Sequence, residues 1–288
     1  MSIRQKIVIV IVSVMSFLFV AHANSVLPQN IVSLYKTTWQ PGLSDSHVNL
    51  ALSAFAGVKG TEIGQESGGD NLNPNFDWFS NQIEGATNIL SLGGSNERLF
   101  TPDMDNVEIV ARNIVEYVRR YNFDGVDFDL EYGAGRKANT TLPKLILAIR
   151  KLDPNMIIMA APQTYNGIVW GASGLTSFEP LLKEGACGDR DCFDAVWLQN
   201  YNNSHDNDFQ YGWDQVEKAL TNVNNQNLQT KFIIGSNTPL NPSQIIMPKK
   251  QKYSKNFGGF GVWPTLNQID NMRDILQAFA NAFSDRSL

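Results

Sequence analysis

Eight short apolar runs punctuate the chain, at residues 31–36, 47–57, 86–94, 123–131, 156–163, 195–202, 231–237 and 257–264. Most are nearly continuous in apolar residues, the pattern of parallel strands buried on both faces. Between most of them, apolar residues recur at helical spacing. In 104–122, Val107, Val110, Ile114 and Val118 share one face, and Asp103 or Asp105 is placed to cap the start. Segments 142–152, ended by Asp153-Pro154, 213–223 and 268–283 follow the same logic. This alternation predicts a single-domain α/β fold, a (β/α)8 TIM barrel. An open doubly wound sheet is the alternative, but no G-x-G-x-x-G follows the first run, so its dinucleotide-binding version lacks support. Residues 59–75, rich in Gly, Asn and Glu, read as a long surface loop on the site face, and 162–177 and 184–191 as irregular. The chain shows no internal repeat, low-complexity linker or accessory domain.

The fourth run breaks the apolar rule. Read at period two, Val126, Phe128 and Leu130 fall on one face and Asp127, Asp129 and Glu131 on the other. Three carboxylates in line repel one another and resist desolvation. An exposed acidic edge strand would tolerate them, and so would a strand that ends in an active site, where carboxyls with divergent pKa values are used. Glu131 closes the run, at the barrel end where active sites form. It is a candidate general acid, with Asp129 pointing toward it and Asp127 one layer deeper.

Asp124-Gly125-Val126-Asp127-Phe128-Asp129-Leu130-Glu131 resembles the DGxDxDxE signature of glycoside hydrolase family 18, the chitinases and their relatives. The resemblance implies retaining hydrolysis in which the substrate's own acetamido oxygen is the nucleophile, an exception to the two-carboxylate rule. Asp129 would then orient the acetamido group, and Asp127 would buffer Asp129. Trp197, Gln199 and Tyr201 share a strand face, and Gln199-Asn200-Tyr201-Asn202 is similar to a segment of the single-domain plant-type chitinases. That likeness gives Tyr201 a bond to the acetamido carbonyl and Gln199 a place in the cleft. Ser91-Leu92-Gly93-Gly94 resembles the family's SxGG motif, with Gly94 open to ligand, and Met159-Ala160-Ala161-Pro162-Gln163 its small-residue wall. Trp263 stands where the family places a Trp beneath the reacting sugar, and Tyr35 is a further candidate for the same cleft. Leu52 departs from the pattern, since the family often has an aromatic there; Phe55 is the substitute at hand. The implied substrate is chitin or another glycan containing N-acetylglucosamine. An endo-β-N-acetylglucosaminidase acting on N-glycan cores, or a non-catalytic lectin on the same barrel, are the competing readings.

Composition bounds the setting. A basic start precedes an apolar run of 14 residues from Ile7 to Val20, and Ala21-His22-Ala23 reads as a cleavage site. Residues 1–23 are thus expected to be a signal peptide, since the run is short for a bilayer span of about 20 residues. Residues 24–288 would form the barrel, secreted to the extracellular space or periplasm, with no membrane anchor after cleavage. Losing Arg4 and Lys6 leaves 21 basic residues against 28 acidic, a net charge of −7 that argues against nucleic acid as partner. Cys187 and Cys192 read as a disulfide in an exported chain. The three histidines are isolated, so no metal site and no cofactor are expected, and the protein is read as a monomer.

Overall fold

A computed structural model describes residues 26–40, 42–164, 174–250, 252–265 and 270–284. The expected signal peptide lies outside the described residues. The strands are β1 (Ile31–Thr37), β2 (Leu50–Gly60), β3 (Glu62–Glu66), β4 (Leu72–Asn73), β5 (Thr87–Gly94), β6 (Phe100–Pro102), β7 (Gly125–Leu130), β8 (Ile157–Ala160), β9 (Ala195–Gln199), β10 (Lys231–Asn237) and β11 (Phe257–Trp263). Eight of them run parallel in the order β1-β11-β10-β9-β8-β7-β5-β2, and β2 pairs back onto β1 to close a barrel. The helices are α1 (Val107–Arg120), α2 (Tyr132–Arg136), α3 (Ala138–Leu152), α4 (Phe209–Val223) and α5 (Met272–Ser284). The fold is the expected (β/α)8 TIM barrel.

The period-two pattern sorts the apolar residues of the barrel strands into two cores. Outward residues such as Val32, Leu34, Val126, Phe128, Ile158, Val196 and Leu198 join the helices in one large cluster. Inward residues such as Ile31, Tyr35, Leu52, Ile89, Ile157, Met159, Trp197 and Ile233 fill the barrel. Trp197 is the largest piece of that filling. Its indole N–H donates to Ser33 Oγ at 2.8 Å, and Ser33 Oγ donates to the Phe260 carbonyl at 3.2 Å. Gly235 and Gly261 make room for the ring: a Cβ on either would collide with the indole.

The alternation is less regular than the sequence predicts. Among the described residues, and taking the eight barrel strands alone, α-helices lie only after β5, β7, β9 and β11, with β6 between β5 and α1. The segment read as a long loop, 59–75, is instead largely sheet. β2 runs on to Gly60, turns there with φ 59°, and pairs antiparallel with β3, which pairs with β4. Asp103 caps a 3-10 turn, Met104–Asn106, ahead of α1 rather than α1 itself. Both α3 and α4 start one turn earlier than periodicity suggests, α3 through Pro143 and α4 from an Asp208 cap whose Oδ1 accepts the Tyr211 N–H at 3.0 Å. Cys187 and Cys192 form a disulfide across five residues, a loop whose closure stabilises the fold by about 2 kcal/mol.

The Trp197 packing yields a test. Gly235→Ala forces a methyl group against the indole and the Leu198 carbonyl, which lies 2.7 Å from the new Cβ. Overpacking of this kind costs about 1–3 kcal/mol. Thermal melting should fall by several degrees, and an unchanged melting temperature would mean that Trp197 is loosely held.

Candidate active site

The strand that carries the carboxylates is fixed by Asp124, just before it, and by Gly125, its first residue. Asp124 Oδ2 accepts the Asn88 N–H at 2.8 Å, tying β7 to the start of β5. At Gly125 a Cβ would strike the Ile157 carbonyl, so only glycine lets β8 approach. The register that follows sets Asp127 opposite Ser91 and Met159, and Asp129 opposite Gly93.

Asp127 is fully buried and Asp129 nearly so, while Glu131, one residue beyond the strand, is half-buried. Asp127 Oδ2 accepts two hydroxyl donors, Ser91 Oγ at 2.7 Å and Tyr35 Oη at 2.8 Å. Its Oδ1 is buried and without a partner. Asp129 Oδ1 accepts Gln199 Nε2 at 2.8 Å, and the same Nε2 donates to the Ala161 carbonyl at 2.8 Å. Gln199 is thereby pinned to the barrel wall.

Burial dominates the electrostatics. It pushes the Asp127 carboxyl up to about 6, against the two hydroxyl donors that favour the anion. Burial also raises Asp129 far above the usual carboxylate range, reinforced by the charges of Glu131 and then Asp127. Glu131 is pushed up to about 7 by burial, with Gln199 pulling the other way. The Tyr201 hydroxyl is raised by burial and by the charges of Asp129, Glu131 and Asp127, in that order. A buried carboxyl oxygen with no donor, as at Asp127, gains by sharing a proton with its neighbour.

Aromatic rings frame this ladder. Trp263, last residue of β11, stacks on Phe55 at 5.6 Å and meets Tyr35 edge-on at 5.4 Å. Trp39, half exposed, lies 6.3 Å from Trp263. Tyr201 follows the end of β9 and remains in the barrel cluster, 6.1 Å from Trp197.

The structure brings together Asp127, Asp129, Glu131, Tyr201, Gln199, Tyr35 and Trp263. Tyr35 has its hydroxyl committed to Asp127, so its contact is with the carboxylate ladder. Gly94, at φ 87°, has the Phe55 ring over the side where a Cβ would stand. Met159 is fully enclosed in the barrel filling. Leu52 is likewise enclosed, and Phe55 takes the aromatic place beside Trp263. Ser91, named from the sequence only as the head of the SxGG segment, proves to be a partner of Asp127, and Trp39 was missed. Ser91 shares its register position with Asp127, and Trp39 continues the period-two face of Tyr35 and Thr37, so alternation alone could have found both.

The profile of the glycosyl hydrolases family 18 matches residues 31–256. The chain belongs to this family. Endochitinase 4 of Metarhizium robertsii is 28% identical over 137 residues, covering 41% of this chain and 37% of that protein. The match to endochitinase 4 of Metarhizium anisopliae has the same identity and covers 45% of that protein, so the aligned stretch spans under half of either relative. Three solved structures share the barrel. A family 18 chitinase from Pseudoalteromonas aurantia superposes with a TM-score of 0.59 at 17% identity, over 88% of this chain and 99% of that one. A Cycas revoluta family 18 chitinase variant in complex with (GlcNAc)4 gives 0.57 at 11%, over 88% and 99%. The xylanase and α-amylase inhibitor protein of Scadoxus multiflorus gives 0.52 at 17%, over 88% and 99%. Among the described residues, no group of three or more His, Cys, Asp or Glu side chains is arranged to hold a metal ion, and no helix is long and apolar enough to cross a membrane.

The raised carboxyls predict a pH dependence. In an unfolded chain such groups titrate near 4, whereas in the fold Asp127 titrates at about 6 and Glu131 at about 7. The folded protein therefore binds more protons between these limits. That contribution is complete below pH ~4 and is lost as pH rises through the folded values. Glu131→Gln, which cannot ionise, should gain stability relative to wild type between pH 5 and pH 8, by on the order of 2 kcal/mol. Denaturant melts at both pH values measure this, and a pH-independent difference would refute it.

Proposed function

We propose that the protein is a secreted chitinase that cleaves β-1,4-linked N-acetylglucosamine with retention, using the substrate's acetamido group as nucleophile. The observation that carries this reading is the ladder of three carboxyls under an aromatic mouth, graded from the sealed Asp127 to the half-open Glu131 with its raised pKa. A group poised near 7 holds its proton at mildly acidic pH and can release it to a leaving oxygen. The family and its endochitinase relatives support glycoside hydrolysis as the broader activity.

In this scheme Glu131 gives its proton to the glycosidic oxygen as the C1–O bond breaks. The acetamido carbonyl oxygen attacks C1 and closes an oxazolinium ring. Asp129 accepts the acetamido N–H, and the Tyr201 hydroxyl donates to the acetamido carbonyl. Asp127, held by Tyr35 and Ser91, takes up or yields the proton that Asp129 exchanges. Glu131, now a carboxylate, removes a proton from water, which attacks C1, reopens the ring and restores the β configuration. Trp263, with Phe55 and Trp39 beside it, offers flat apolar area to the pyranose rings. The leader-like segment at residues 7–23 and the Cys187–Cys192 disulfide support export.

The complete set Asp127, Asp129, Glu131 and Tyr201 weighs against a purely carbohydrate-binding role. Glu131→Gln should lower turnover on chitin oligomers by about 10³-fold or more while leaving binding intact, because the amide keeps the shape but cannot donate the proton. Near-wild-type turnover would remove Glu131 as the acid. Activity should fall on the alkaline side as Glu131 ionises near pH 7.

Stereochemistry tests the nucleophile. Proton NMR of the fresh product should show the β anomer before mutarotation, and glucose polymers should not be cut. An initial α anomer would point to the ordinary inverting scheme, with Asp127 or Asp129 as base. An assay with a high-mannose glycopeptide beside chitin oligomers separates a chitinase from an N-glycan endoglycosidase.

A further inference from the structure

Glu131 occupies the N-cap position of α2, yet its side chain makes no capping bond there. An N-cap side chain ordinarily accepts a backbone N–H from the second or third helical residue. Glu131 cannot both do this and face Gln199 and Tyr201 across the site. The missing acceptor comes from another loop: Glu97 Oε2 accepts the Gly133 N–H, on the second helical residue, at 2.6 Å.

We propose that Glu97 is a positioning residue for Glu131, a clamp on the strand-to-helix turn that carries the acid. The inference rests on the catalytic reading of Glu131 given above. Three observations support it. The turn passes through Tyr132 at φ 48°, a left-handed conformation that a bulky side chain adopts only when its surroundings enforce it. Gly133 carries no side chain, and a Cβ there would fall on the Glu97 carboxylate. The clamp is also anchored. Glu97 opens a 3-10 turn, Glu97–Leu99, whose cap Asn96 accepts the Arg98 N–H at 3.3 Å. Leu99 at its end is fully buried, against β2 at Gly57, where a Cβ would come within 2.9 Å of the Leu99 carbonyl. Position is thus transmitted from the core through Leu99 and Glu97 to Gly133, two residues from the acid. Glu97 itself is exposed, so removing it spares the core.

The test compares wild type, Glu97→Ala, Glu97→Gln and Glu131→Gln on an N-acetylglucosamine oligomer, with melting curves and deuterium uptake of the peptide spanning 131–137. Glu97→Ala should lower kcat by about tenfold with KM within about twofold, because a misplaced acid affects the transition state more than ground-state binding. Glu97→Gln keeps a carbonyl acceptor and should restore kcat. Deuterium uptake should rise in Glu97→Ala and not in Glu97→Gln, with the melting temperature unchanged in both. The proposal is overturned by wild-type kcat in Glu97→Ala, by a loss confined to KM, or by failure of Gln to rescue. Glu131→Gln separates the two readings. If it is inert while Glu97→Ala behaves as wild type, only the clamp falls. If it keeps turnover, the catalytic reading falls and the clamp with it, whatever the deuterium uptake.

Discussion

Two carboxyl groups sit inside a barrel that is otherwise filled with apolar side chains, and the rest of the site depends on making that tolerable. An ionised carboxylate in such surroundings is costly unless it is partnered or neutralised. Asp127 is met by two hydroxyls, from Tyr35 and Ser91, and Asp129 by the Gln199 amide. These donors come from β1, β5 and β9, so the barrel must close for the ladder to form. Neutral donors reduce the cost without removing it, and the carboxyls keep raised pKa values. The same imperfect compensation that burdens the fold at neutral pH keeps protons available at the site.

Closure in turn depends on what lies under the ladder. Trp197 fills the barrel below Gln199 and Tyr201, and Gly235 and Gly261 are shaped around its ring. A smaller residue at 197 would leave a void beneath the Gln199 amide, and a larger one at 235 would tilt the indole. The apolar layer is therefore part of the electrostatic device, because it sets how far Gln199 and Tyr201 project toward the carboxyls.

The strands were legible in the sequence because parallel strands are apolar on both faces, and period two then told inside from outside at Asp127, Trp197 and Gln199. Glu131 and its neighbours were legible for the same reason: three acids on one strand face contradict a structural role. What escaped was non-local. The β3–β4 hairpin owes its order to pairing with β2, and a Gly- and Asn-rich stretch shows no period of its own. The starts of α3 and α4 were set a turn late because Ala138 and the Asp208 cap lie upstream of the apolar stripe, and Asp103 caps a 3-10 turn that precedes α1. Glu97 left no signal at all, since its partner is the backbone of Gly133, 36 residues away.

That contrast has a functional side. The groups placed by strands, Asp127, Asp129 and Gln199, are hydrogen-bonded across the barrel, Asp127 with Tyr35 and Ser91 and Asp129 with Gln199. The groups placed beyond strand ends, Glu131, Tyr201, Trp39 and the Glu97 turn, depend instead on the loops that follow the strands. Structures at 11–17% identity share this barrel and include both chitinases and an inhibitor protein, so the barrel alone does not fix activity. The proposed acid, Glu131, belongs to the second group, one residue past β7. With Glu131 as the proposed acid, a fold whose deeper carboxyls are held by strands but whose acid hangs on a turn would lose catalysis through the loops while the ladder beneath stays in place. On the proposed reading the turn at Tyr132 and Gly133, more than the ladder beneath it, is where this chain would commit to hydrolysis.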